Sequence, residues 1–190
     1  MFDDVRVDWR RFKRSIQEGR ATRLHVLHKL LHGYGQQALL VYRLERWVRH
    51  MRTHPLVWPA AIAATPTVWL MAAYVRRAYG IHLDSSATIG PGLLIGHLGG
   101  IHVRQCRIGA QCAIQQRVRL EPAPGGSQGP RIGDRVWIGA HARVSGAFRI
   151  GDGATVAPGS VVLCDVEPGW LMAGNPARAV RSGVDNSGIL

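Results

Sequence analysis

Cysteine is scarce in this 190-residue chain: there are three, Cys106, Cys112 and Cys164, and no two of them form a Cys-x-x-Cys pair. An odd number without paired spacing argues against a disulfide framework and against a zinc site, and it fits a reducing compartment. The N-terminus is charged and lacks an early apolar run with a cleavage site, so we expect no signal peptide. These absences predict a cytoplasmic protein without a metal.

Acidic residues are also few. The chain has 24 Lys and Arg against 12 Asp and Glu, a formal net charge of +12, and residues 1–80 carry 14 against 5 of these. A basic segment rich in Trp and Leu indicates an anionic partner, either nucleic acid or a lipid surface. The aromatic residues are not interleaved with the basic ones and no nucleic-acid-binding motif occurs, so we expect no nucleic-acid binding.

The N-terminal part has a helical pattern. Residues 1–20 carry no strong periodic signal, but residues 21–33 predict an amphipathic helix that ends at glycine. Residues 36–52 predict a second helix, with one apolar side and one basic side formed by Arg43, Arg46, Arg49 and Arg52. Residues 1–77 are therefore predicted to form a basic, apolar, α-helical region.

An uncharged run of twenty residues, 56–75, follows these helices and has the nominal length of a membrane span. Pro66 lies inside it and Pro59 near its start, which weakens that interpretation. Three alternatives stay open: a buried helical hairpin, an interfacial or re-entrant anchor, and a true span. The basic helix upstream favours the interface. We therefore expect peripheral contact of residues 21–77 with the inner face of the membrane.

The second half of the chain has a six-residue repeat. Thirteen aliphatic residues follow this step, which is broken by one extra residue after Ile101 and interrupted by a Gly- and Pro-rich stretch after Leu120: Leu83, Ile89, Ile95, Ile101, Ile108, Ile114, Leu120, Ile132, Ile138, Val144, Ile150, Val156 and Val162. In a three-sided coil of short strands, each such side chain points inward and stacks on the one a full turn away. Residues 78–181 are therefore predicted to form a parallel β-helix, followed by a tail, 182–190.

Longer motifs accompany the repeat: IGPG at 89–92, IGHLGGI at 95–101, IGAHARVSG at 138–146, VAPGSVV at 156–162 and AGNPAR at 173–178. With these, the chain resembles the hexapeptide acyltransferase family, and within it the serine acetyltransferase branch and its relatives in polysaccharide gene clusters. The resemblance implies a left-handed parallel β-helix and a homotrimer with active sites between neighbouring subunits. It also implies acetyl-CoA as co-substrate.

The resemblance also implies roles for individual residues. The pantetheine arm of the coenzyme would lie against Gly139, Ala140, Ala157 and Gly159, and Arg178 would sit near its phosphates, where a guanidinium is well suited. Alternatively, Arg178 is a solvated charge near the C-terminus.

The catalytic base of the family matches His97 of this sequence. Neutral imidazole can take the proton of an attacking hydroxyl at pH 7, although a histidine in a coil corner could also be a plain surface residue. Asp84 could orient the imidazole, because a carboxylate fixes its tautomer; an exposed corner aspartate is the alternative.

The sequence departs from the serine acetyltransferase pattern in three places. Gly96 and His82 stand where that branch has aspartates, and the stretch 125–131 lacks its second histidine. These departures, with the basic N-terminal region, predict an O-acetyltransferase for a sugar hydroxyl of an exopolysaccharide or lipid-linked saccharide. His82, His102 and His141 are its candidate substrate contacts. The alternatives are a serine O-acetyltransferase and a non-catalytic trimeric scaffold.

Overall fold

The structure is a computed structural model that describes residues 2–17, 33–53, 57–96 and 99–186. Three helices come first: α1 (Phe2–Gln17), α2 (Tyr34–Met51) and α3 (Trp58–Tyr79). The helix expected over residues 36–52 is confirmed as α2, and α1 forms where the sequence showed no strong period. The helix predicted over residues 21–33 lies almost entirely outside the described residues.

Fifteen short strands follow, and the first fourteen wind into a parallel β-helix of about five turns, which confirms the predicted fold. The first sheet contains β1 (Ile81–Leu83), β4 (Ile101–Val103), β7 (Arg119–Glu121), β10 (Arg143–Ser145) and β13 (Val161–Val162). The second contains β2 (Thr88–Ile89), β5 (Arg107–Ile108), β8 (Arg131–Ile132) and β11 (Arg149–Ile150). The third contains β3 (Leu94–Ile95), β6 (Ala113–Ile114), β9 (Trp137–Ile138), β12 (Thr155–Val156) and β14 (Leu171–Gly174). The last strand, β15 (Ala177–Arg181), pairs antiparallel with β14 and ends the third sheet.

The thirteen aliphatic residues of the repeat are all buried in the coil interior. One column of stacked side chains runs along each sheet. The third, for example, places Ile95, Ile114, Ile138, Val156 and Met172 in register on successive turns. One turn cannot bury its own apolar face, so this stacking is what holds the coil together.

One register prediction is wrong. Ile101 does not continue the column of Leu83; it pairs with Ile81, and Val103 takes the position in register with Leu83. The corner between β3 and β4 is longer than its counterparts on later turns, and it contains Gly99 and Gly100, both with positive φ. The extra length shifts the register, but Ile101 is still fully buried.

Buried polar groups bind helices α1 and α2 to the first turn of the β-helix. Arg43 of α2 donates to the carbonyl oxygens of Ile89 (2.6 Å) and Gly90 (2.7 Å). Asp8 of α1 pairs with Arg43 and accepts a hydrogen bond from the backbone N–H of Gly92. On the predicted basic side of α2, Arg43 is thus buried in an ion pair, whereas Arg46, Arg49 and Arg52 are exposed.

Helix α3 ends at Gly80, which has a φ of +62°. A Cβ atom there would lie 3.1 Å from the backbone nitrogen of Gly100, so glycine allows the helix to run straight into β1. Among the described helices, α3 alone is long and apolar enough to cross a membrane, and 17% of its most apolar stretch is buried in the protein. Membrane contact stays a prediction.

Candidate functional site

The corner between the third and first sheets carries the predicted coenzyme residues. The turn 139–141 joins β9 to β10, and the turn 157–159 joins β12 to β13 one coil further on. They are held together by hydrogen bonds from Gly139 N to Val156 O and from Gly159 N to Ala140 O, each 2.8 Å. A Cβ atom at Gly139 would lie 2.6 Å from the nitrogen of Pro158. The close stacking of the two turns therefore itself requires glycine at position 139.

The same corner on the first turn joins β3 to β4. His97, the predicted base, belongs to this segment but lies outside the described residues. Its neighbours are in place: Gly96 donates to the carbonyl oxygen of Ile114 (2.9 Å), and Gly99 accepts from the N–H of Arg117 (2.9 Å). Chain order alone thus puts the segment of the predicted base and the predicted coenzyme turns on one edge of the β-helix.

Arg178 lies on the last β-hairpin, which follows the two predicted coenzyme turns at the C-terminal end of the β-helix. It lies on β15, where it pairs with Ala173 of β14 and is exposed. The N–H of Gly174, at the start of the hairpin turn, donates to the hydroxyl of buried Ser160 (3.2 Å), the residue after Gly159. The hairpin is therefore attached directly to the second coenzyme turn. The role of Arg178 stays a prediction.

His82 and His102 are brought together by strand pairing. They occupy the same register on β1 and β4, and their rings stack 4.7 Å apart with an interplanar angle of 5°. Burial, followed by the nearby His82 and Arg119, lowers the pKa of His102 below its usual range. The pair thus favours neutral imidazole at His102.

Asp84 lies at a different corner, the one between the first and second sheets. Its carboxylate accepts a hydrogen bond from the backbone N–H of Ser86 (2.8 Å), which caps a tight turn, and the side chain is exposed. The fold therefore does not place Asp84 at the corner between β3 and β4. Its proposed role in orienting His97 stays a prediction, as does the substrate role of His141, an exposed residue with a φ of +63°.

A cavity of about 610 Å³ opens beside the two stacked histidines, between α2, α3 and the first sheet. Its polar lining includes His82, His102, Arg49, Arg52 and Arg104. Two of the candidate substrate contacts, His82 and His102, thus line this cavity. Its arginines were not predicted as part of a site, because the arginines of α2 repeat every three residues, as on an ordinary solvated face. In the described parts of the chain, no three His, Cys, Asp or Glu side chains cluster as a metal site would need.

Comparison with known proteins agrees with this architecture. Residues 129–164 match the bacterial transferase hexapeptide (six repeats) family. The serine acetyltransferase of Escherichia coli K12 is 33% identical over 154 residues, which are 80% of this chain and 52% of that protein. The soybean serine acetyltransferase apoenzyme structure is 30% identical with a TM-score of 0.71, and the match covers 94% of this chain and 68% of that one. The Neisseria gonorrhoeae enzyme in complex with serine is 27% identical with a TM-score of 0.72, at the same coverage.

The fold, the repeat and these matches define the class: the chain belongs to the hexapeptide-repeat transferases. Within that class its homologues are serine acetyltransferases. It spans about half the length of the E. coli relative. The prediction of an exopolysaccharide or lipid-linked saccharide acceptor is wrong, because these relatives and structures are serine acetyltransferases. That prediction gave too much weight to differences at Gly96, His82 and residues 125–131 against a backbone match that extends over most of the chain.

Proposed function

We propose that this protein is an acetyl-CoA-dependent serine O-acetyltransferase that works as a homotrimer in the cytoplasm. The observation that supports this most strongly is the structural match to soybean serine acetyltransferase, which extends over 94% of the chain and so includes helices as well as the β-helix. A similarity that rested on the six-residue repeat alone would have covered only the β-helix.

In this proposal, His97 is the general base. Its neutral imidazole accepts the proton of the serine hydroxyl as the oxygen attacks the thioester carbonyl of acetyl-CoA. The new C–O bond forms, the C–S bond breaks, and the proton passes from the imidazolium to the departing thiolate. The products are O-acetylserine and coenzyme A.

The donor would lie along the edge of stacked turns. Ala140 and Ala157 are half-buried, and Gly159 is exposed, so small side chains leave the backbone of these turns open to a slender chain such as pantetheine. The exposed guanidinium of Arg178, on the hairpin tied to Ser160, is placed to receive the phosphates at the end of this edge.

The test is thiol release from acetyl-CoA with L-serine as the sole acceptor, with O-acetylserine identified by mass spectrometry. We expect serine-dependent turnover, and a loss of about 10²- to 10⁴-fold in kcat for His97→Ala with the oligomeric state and coenzyme binding retained. The matched control is His50→Ala, an exposed histidine of α2 that has no proposed role in the reaction, which should keep most of the activity. Thiol release that ignores serine, or full activity of His97→Ala, would overturn the proposal.

A further inference from the structure

The cavity beside His82 and His102 carries positive charge that the protein itself does not neutralise. Four arginines and two acids line it: Arg49, Arg52, Arg76, Arg104, Glu45 and Asp84. Glu45 is already paired with Arg76 at 3.5 Å, and the Asp84 carboxylate caps the turn at Ser86. The four arginines and two acids therefore give the lining a formal charge of +2, which an anionic ligand would balance.

Two of the guanidiniums are free to bind a ligand. Arg49 is oriented by a hydrogen bond to the Ser85 hydroxyl (2.6 Å). Arg52 and Arg104 have exposed side chains and no ion pair within the residues that the structure describes. They come from the end of α2 and the end of β4, so the cavity presents them from two different elements. Guanidinium groups bind phosphate and carboxylate oxygens in pairs of parallel hydrogen bonds.

Much of the remaining lining is apolar. Val48, Val68 and Leu83 form part of the wall, and Trp69, which is 64% exposed, lies beside them. An indole face offers a stacking surface for a flat organic group. The volume lies in the range typical of sites for ligands larger than an amino acid, so serine would leave much of it empty.

We propose that this cavity binds a phosphate monoester with a flat apolar body, with Arg52 and Arg104 on the phosphate and Trp69 against the body. A phosphate monoester carries a charge of about −1.5 to −2 at neutral pH, which matches the lining, whereas a single carboxylate neutralises only half of it. The predicted coenzyme residues lie on later turns and none of them lines this cavity. The ligand is thus distinct from the thioester donor.

The test is isothermal titration calorimetry of the full chain with phenyl phosphate at pH 7, without acetyl-CoA or serine. We expect saturable binding that Arg52→Gln and Arg104→Gln each weaken about tenfold, the effect of one charged hydrogen bond. Arg77→Gln is the control: it removes an equal charge from an exposed position on α3 that does not line the cavity, and it should change the affinity less than about twofold, as surface charges do.

Three further ligands define the site. Phenyl sulfate has the same ring and one charge fewer, so it should bind more weakly. Inorganic phosphate lacks the phenyl ring and should bind more weakly than phenyl phosphate. Trp69→Ala should remove this difference in affinity. Coenzyme A should not compete. Competition by coenzyme A, equal binding of phenyl sulfate, equal weakening by Arg77→Gln, or no saturable binding at millimolar phenyl phosphate would each overturn the proposal. None of these outcomes depends on whether serine is acetylated.

Discussion

Arg43 on α2 and Asp8 on α1 form an ion pair of 3.4 Å that is buried against the first turn of the β-helix. Only 5% and 6% of the two side chains are exposed. Each partner also bonds to the backbone of residues 89–92, so one buried pair connects two helices and the coil. Burial raises the pKa of Asp8, and the Arg43 charge opposes that rise.

We predict that Arg43→Met lowers the free energy of unfolding by about 3–5 kcal/mol, because it leaves the Asp8 carboxylate buried without its partner. Urea denaturation followed by circular dichroism measures this. The loss should grow as the pH rises, since a carboxyl group with a raised pKa favours folding only while it is protonated. The control Arg46→Met removes a more exposed arginine on the same helix, which bonds to the Tyr42 hydroxyl, and should cost less than about 1 kcal/mol.

A double variant separates pairing from packing. Asp8→Leu combined with Arg43→Met removes both charges and should recover part of the stability lost in Arg43→Met alone. If the double variant is as unstable as the sum of the two single variants, the ion pair is not what holds the helices to the coil.

The coil could be predicted from the sequence because its cause is local. An aliphatic side chain every sixth residue is enough to specify the interior columns, and Ile114, Ile138 and Val156 lie where the period places them. The register of Ile101 could not be predicted in this way. It depends on how a corner containing Gly99 and Gly100 uses its extra length, which is a matter of positive φ angles and not of hydrophobic period.

The burial of residues in the helical region, in contrast, depends on contacts that are distant in the sequence. Burial of Arg43 depends on Asp8, 35 residues earlier, and on carbonyl groups about 46 residues later. Nothing in the local pattern distinguishes it from Arg46 or Arg49. The arginines of the cavity were missed for the same reason: Arg52, just after α2, and Arg104, just after β4, are brought to one place only by packing of helix on coil.

The stacked histidines predict a pH dependence of stability. The pKa of His102 is lowered by burial, then by His82 and Arg119, and further by Arg104, while Glu121 opposes the effect. The unfolded chain therefore binds more protons than the folded one as the pH falls below the usual histidine pKa of about 6.5. The stability that neutral His102 contributes is present above that pH and is lost as the pH falls through the lowered pKa.

We expect the urea midpoint of the protein to decrease between pH 7 and pH 5, and His102→Gln to flatten this decrease. The variant leaves the other charged groups of the cavity unchanged, so the difference in slope between the variant and the parent protein reports on His102. These groups are Glu45, Arg49, Arg52, Arg76 and Asp84. His141→Gln replaces an exposed histidine and should keep the slope of the parent protein. An unchanged slope in His102→Gln would show that the stacked pair does not carry the acid sensitivity.

The predicted contact with a membrane surface would be made by helix α3. Large apolar side chains are exposed around much of its circumference: Trp58, Ile62, Trp69, Leu70, Met71 and Tyr74. Arg76 and Arg77 lie in its last turn. An apolar helix face bordered by cations is typical of segments that lie in the interface of anionic lipids. We therefore predict that the protein co-sediments with vesicles containing phosphatidylglycerol and not with pure phosphatidylcholine.

Leu70→Glu places a charge on the most exposed part of this face and should reduce co-sedimentation at least about tenfold, because a buried charge in the apolar layer costs several times the thermal energy. The matched control is Leu163→Glu, which makes the same substitution at a leucine on the coil that is 50% exposed. If the two variants bind vesicles equally well, α3 does not contact the lipid. If Leu70→Glu instead changes the oligomeric state in the absence of lipid, the exposed face is a contact between subunits, because only an interface between copies of the chain would sense that substitution in plain buffer.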